Sequence, residues 1–74
     1  MIGENIKELR KQTGISQEKL AEKIGVPRGT LSSWELDDSS PNPKMLIKLK
    51  EALNCSYEEL ILGGRELRAF NRND

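Results

Sequence analysis

The chain has no histidine and a single cysteine, Cys55, so neither an internal disulfide nor a transition-metal site is expected. Long apolar runs are missing as well, and nothing in the sequence is long enough to span a membrane. Met1-Ile2-Gly3-Glu4 runs at once into charged residues, so no secretory signal is expected, and the lone cysteine fits a reducing cytoplasm. Asp37 and Asp38 are adjacent carboxylates, but no histidine, reactive serine motif or phosphate-cradling glycine loop accompanies them. They are read as turn residues, and neither catalysis nor a cofactor is expected. An excess of one charge is also lacking: 12 Lys and Arg balance 12 Asp and Glu. A nucleic-acid binder usually carries a basic surplus, so placement has to do what the total does not.

What is present suits one small helical domain. Of 74 residues, 35% are apolar and 32% charged, a balance of a compact soluble domain rather than of a disordered chain. Ile2, Ile6 and Leu9 recur at helical spacing and Gly14 is a natural stop, so a first helix is expected from Gly3 to Thr13. Ser16 is a good N-cap for a second helix, with Glu18 in the first turn where the helix dipole favours an acid. Leu20, Ala21 and Ile24 form its inner face, and Gly25 ends it in a left-handed conformation. Pro27 suits the first turn of a third helix, where its missing N–H has no intrahelical partner anyway. Leu31 and Trp34 point inward from that helix, so Trp34 is read as core rather than as a base-stacking residue.

Beyond it, Leu36 to Pro41 is a loop by composition, and Asn42-Pro43 reads as N-cap and first helical residue of a fourth helix. Leu46, Leu49 and Leu53 are its expected buried stripe, flanked by Ile47 and Ala52. Ser56-Tyr57-Glu58-Glu59 reads as a capping box opening a short fifth helix. Tyr57, Leu60 and Ile61 are expected to close the core, and Gly63-Gly64 to end the helix. Residues 1–63 are thus read as the domain and 64–74 as a tail, in which Leu67 and Phe70 suit one extra helical turn.

The stretch from Ser16 to Glu35, SQEKLAEKIGVPRGTLSSWE, carries most of the functional information. A small residue (Ala21) lets two helices cross closely, a glycine (Gly25) turns the chain, and Leu31 and Trp34 lock the second helix against the first. This order of residue types is that of a helix-turn-helix, whose second helix is free to present its outer face to a DNA major groove. Charges on the first two helices are segregated, Glu4 and Glu8 apart from Lys7 and Lys11, and Glu18 and Glu22 apart from Lys19 and Lys23. Stripes of this kind leave room for a basic face on a neutral molecule, or are ordinary solvated helix surface.

Leu9-Arg10, Ser16-Gln17, Leu20-Ala21, Gly25-Val26, Trp34-Glu35, Pro41 and Ala52-Leu53 fall in register together, and in this the chain resembles the Cro/repressor-type helix-turn-helix family, also called the XRE family. The resemblance covers about residues 2 to 62. It implies an all-α, lambda-repressor-like domain of five helices that binds operator DNA as a two-fold homodimer. Carried onto this sequence, it places Arg28, Gly29, Ser32 and Ser33 of the recognition helix toward base edges. Arg28 is the leading reader, since a guanidinium bonds guanine O6 and N7 together. It places Ser16, Gln17, Thr30, Ser40 and Lys44 at backbone phosphates. Arg10 and Glu35 match a buried ion pair of the family, read as structural. The dimer contact is implied about Asn54 to Glu58, with Tyr57, Leu67 and Phe70 as contributors.

The chain departs from the family pattern at four places. Pro27 replaces a serine or threonine cap, Gly29 a longer polar residue, and Ser32 and Ser33 are short. Asp37 and Asp38 stand where the family favours glycine and then basic or neutral residues; facing the backbone, they oppose phosphate directly. The leading expectation is a small, cytoplasmic, sequence-specific double-stranded DNA-binding transcriptional regulator, a repressor of phage, mobile-element or antitoxin type on a palindromic operator. The alternative is a protein-interaction module of the same fold with weak or lost DNA binding.

Overall fold

Capping residues set the limits of each helix in the computed structural model, which describes residues 2–63. Five helices follow in order: α1 (Ile2–Thr13), α2 (Gln17–Ile24), α3 (Arg28–Glu35), α4 (Pro43–Leu53) and α5 (Tyr57–Leu62). No strand occurs among the described residues. The tail expected over 64–74, with Leu67 and Phe70, lies outside them.

Ser16 Oγ accepts from Lys19 N at 3.1 Å and Asn42 Oδ1 from Met45 N at 2.9 Å, each meeting one of the amides that a helix start leaves without a partner. The Ser56–Glu59 capping box is complete: Ser56 Oγ accepts from Glu59 N at 3.1 Å, and Glu59 Oε1 from Ser56 N at 3.0 Å. Pro27 takes the cap position that the resemblance implies rather than a place in the first turn of α3. It is the N-cap, with φ −62° and ψ 147°, and it makes no side-chain cap. Its fixed φ serves either position, and the extended ψ places it outside the helix.

Chain reversals use left-handed residues. Gly25 (φ 77°) turns the chain between α2 and α3. The same conformation after α3 and α4 falls on non-glycine residues, Asp37 (φ 62°) and Asn54 (φ 52°). After α3 the amides of Asp37 and Asp38 donate to the carbonyls of Trp34 (3.1 Å) and Ser33 (2.9 Å), a Schellman closure with Asp37 at the left-handed position.

The core joins Ile6 and Leu9 of α1, Leu20, Ala21 and Ile24 of α2, Leu31 and Trp34 of α3, Leu49 and Leu53 of α4, and Leu60 of α5. α1 packs on α3, α4 and α5, while α2 packs on α3 and α4. Some apolar residues expected inside are not. Tyr57 is 40% exposed and Ile61 57%, and Leu46 is only half-buried; Ile47, expected at the flank of the α4 stripe, is 46% exposed. With six residues, α5 has too few turns for a wide inner face, and Leu60 alone fills it. Cys55 is half-buried against the core. Burial pushes its thiol pKa up, Glu59 adds in the same direction, and Lys50 opposes.

Candidate nucleic-acid interface

The orientation of α3 is set from behind. Leu31, Trp34 and Glu35 are its buried residues, spaced three and four apart, so the opposite face falls on Gly29, Ser32, Ser33 and the cap residue Leu36. Glu35 is the one buried charged residue among those described, and three helices meet at its carboxylate. Arg10 of α1 donates through Nε to Oε2 at 2.8 Å and through a terminal nitrogen to Oε1 at 3.2 Å. Its other terminal nitrogen donates to the Ile15 carbonyl at 3.0 Å, and Gln17 Nε2 of α2 donates to Glu35 Oε1 at 2.9 Å. With side chains only 12% and 3% exposed, Arg10 and Glu35 form a forked, desolvated pair, to which Gln17 adds a third donor.

Among the residues expected at bases, Arg28 is exposed at the first position of α3, and its guanidinium makes no hydrogen bond or ion pair among the described residues. Gly29 is exposed, and a Cβ added there meets nothing within 4 Å, so nothing in the fold demands a glycine. Ser32 and Ser33 are half-buried. The Ser33 hydroxyl lies 2.9 Å from that of Ser39, which ties the recognition helix to the loop after it and leaves one proton of the pair to donate elsewhere.

The residues expected at phosphates lie on α2 and its cap, on α3, on the loop after it and on α4. Ser16 accepts the Lys19 amide and keeps its O–H to donate. Gln17 spends one of its two amide hydrogens on Glu35 and keeps the other. Thr30 is half-buried, and Ser40 and Lys44 are exposed, one in the loop and one in the first turn of α4. The structure brings Gln17 to the end of α3 through Glu35, and Ser39 to its outer face through Ser33.

Three residues that sequence reasoning did not place matter here. The exposed Asp37 has a partner within the fold: its Oδ1 accepts the Gly3 amide at 3.1 Å, at the start of α1. Asp38 is exposed. Asn5 Nδ2 donates to the carbonyls of Leu60 (2.8 Å) and Ile61 (3.2 Å), fastening α5 to α1. Leu36, 69% exposed, extends the outer face of α3 with an apolar side chain. Its spacing from Gly29, Ser32 and Ser33 was the available signal for that position. The partners of Asp37 and Asn5, 34 and 55 residues away, had none.

Comparison with known proteins agrees with this architecture. A helix-turn-helix family model matches residues 6–60. The HTH-type transcriptional regulator YqaE of Bacillus subtilis (strain 168) is 33% identical over 70 residues, 95% of this chain and 60% of its own length. Repressor protein C2 of Salmonella phage P22 is 36% identical over 63 residues, 85% of this chain and 29% of its own length. The chain therefore spans less than two thirds of either relative. The crystal structure of the P22 c2 repressor with a synthetic operator superposes with a TM-score of 0.79 at 36% identity, covering 85% of this chain and 96% of that one. SinR, solved in complex with DNA, superposes with a TM-score of 0.77 at 40% identity, covering 82% of this chain and 98% of that one. The chain belongs to the Cro/repressor-type (XRE) helix-turn-helix family.

Proposed function

We propose that this chain is a sequence-specific double-stranded DNA-binding transcriptional regulator, a repressor that acts as a homodimer with α3 in the major groove. The observation that carries the reading is the contrast between the two sides of α3. Its inner side is fixed by Leu31, Trp34 and the Arg10–Glu35–Gln17 network, while Arg28 and Gly29 at its amino end are exposed, with open space beside Gly29. A rigid helix with a vacant outer face at its N-terminal end is what groove insertion requires. That P22 c2 and SinR, both similar to this chain, were solved with DNA supports the same assignment.

In this reading Arg28 bonds guanine through its two terminal nitrogens, Gly29 permits close approach of the backbone, and Ser32 and Ser33 reach bases directly or through water. Ser16, Gln17, Thr30, Ser40 and Lys44 hold phosphates on either side. Residues 1–63 are the DNA-binding domain and 64–74 a tail. Tyr57 and Ile61, one helical turn apart and exposed on α5, supply apolar surface for a second copy, which makes a palindromic operator the natural target. The protein works in the cytoplasm, and repression follows from occupancy of a promoter.

Selection of bound fragments from random duplex DNA tests the proposal, with a palindromic consensus as the expected outcome. Arg28→Ala then weakens binding to the selected site by about 1–3 kcal/mol and relaxes preference at one base pair of each half-site. Absence of binding to any duplex at low salt would replace this reading with that of a protein-interaction module.

A further inference from the structure

We infer that Asp37 is a positioning residue: it clamps the loop after α3 to the start of α1 and so presents Ser40 and the first turn of α4 to the DNA backbone. This rests on the DNA-binding reading above. Asp37 occupies the left-handed position of the Schellman closure after α3, where any residue with a Cβ is disfavoured and glycine is the usual solution. Glycine would relieve the backbone but offers no acceptor. Asp37 supplies one, and Oδ1 takes the Gly3 amide at 3.1 Å, one of the donors that the start of α1 leaves without an intrahelical partner. Though exposed, the carboxylate also lies at the positive end of the α1 dipole, which offsets part of its charge.

Gly3 is fitted to this contact. A Cβ there would collide with the Trp34 carbonyl oxygen and would come within 2.8 Å of both Asp37 Oδ1 and the Glu35 carbonyl oxygen. The last turn of α3 and the first of α1 therefore touch backbone to backbone, with Asp37 closing the contact. On its other side the loop is held by the Ser33–Ser39 hydroxyl pair at 2.9 Å and by the Ser39 amide on the Ser33 carbonyl at 3.4 Å, and Pro41 is buried beyond. Three anchors thus fix the path from the recognition helix to Ser40 and Lys44. An acidic residue in this loop, which as a bare charge opposes phosphate, instead fixes the groups that contact it.

The test compares wild type with Asp37→Gly, which keeps the left-handed backbone and removes the acceptor, and Asp37→Asn, which keeps an acceptor and removes the charge. Each full chain is titrated by fluorescence anisotropy against a short mixed-sequence duplex, well below its melting temperature, so that the folded fraction is equal. Asp37→Gly is expected to bind about fivefold more weakly, because only part of its loop population is competent, and to show a flatter slope of log K against log[salt]. Asp37→Asn is expected to bind as tightly as wild type or tighter. Affinity of Asp37→Gly equal to or above wild type would overturn the inference, as would an equal loss in both variants. Amide hydrogen exchange at Gly3 separates the clamp from the DNA reading. Protection in wild type and Asp37→Asn, lost in Asp37→Gly, supports the clamp even when no duplex binds. A Gly3 amide unprotected in wild type overturns it.

Discussion

Replacing Arg10 with methionine puts the central network to a quantitative test. The substitution keeps most of the aliphatic volume and removes three hydrogen bonds, two to Glu35 and one to the Ile15 carbonyl. It leaves the Glu35 carboxylate, 3% exposed, with the Gln17 amide as its remaining donor. Breaking a buried pair by removing one partner costs about 3–5 kcal/mol. A domain of this length holds about 4–11 kcal/mol in all, so Arg10→Met is expected to consume much of it and to lower the melting temperature by at least about 12 °C. Urea denaturation followed by Trp34 fluorescence measures the change, since that indole is 5% exposed when folded. The double variant Arg10→Met with Glu35→Leu removes the stranded charge and is expected to recover most of the loss, because an apolar replacement of a buried ion pair is commonly neutral or better. A loss below about 1 kcal/mol in Arg10→Met would refute the reasoning, since it would mean that water reaches the carboxylate. A double variant no more stable than the single would refute it too.

Asn5→Ala removes both hydrogen bonds to the end of α5 and is expected to cost about 1–2 kcal/mol, with faster amide exchange in α5 than in α2. Lys44 is the one cationic side chain assigned to phosphate in each protomer, so a dimer should show a slope of log K against log[salt] of about −2, and Lys44→Ala should bring it close to zero. The half-buried Cys55 thiol, its pKa raised mainly by desolvation, should react more slowly with iodoacetamide at about pH 8.5 in the folded chain than in urea. Because the thiolate is favoured in the unfolded chain, its contribution is constant below the unfolded pKa and declines as pH rises through it toward the folded value. Cys55→Ala should flatten that part of a stability–pH curve.

How much of this was legible beforehand depended on the range of the signal. Helix starts at Ser16, Asn42 and Ser56 were readable because cap and capped amide lie three residues apart. The inner face of α3 was readable because Leu31 and Trp34 share one period. Pro27 fell one place outside its expected position because N-cap and first-turn prolines share φ and differ in ψ, which composition does not encode. Tyr57 and Ile61 were assigned inward on a helix of six residues, where a single period does not fix a face. Asp37 is legible as a turn residue, but not as the partner of Gly3, which lies 34 residues upstream, and neither residue type advertises the other. The identity of the groove-facing positions came from a resemblance in register, not from any property of glycine or serine themselves.

The arrangement around α1 also has a bearing on synthesis. Its ties to Glu35, Asp37 and Leu60 close over 25, 34 and 55 residues, so α1, made before the other four helices, is the last of them to find its full set of neighbours. A nascent chain halted before Leu60 would carry Ile6 and Leu9 without that cover, a sticky intermediate that quality-control proteases can recognise.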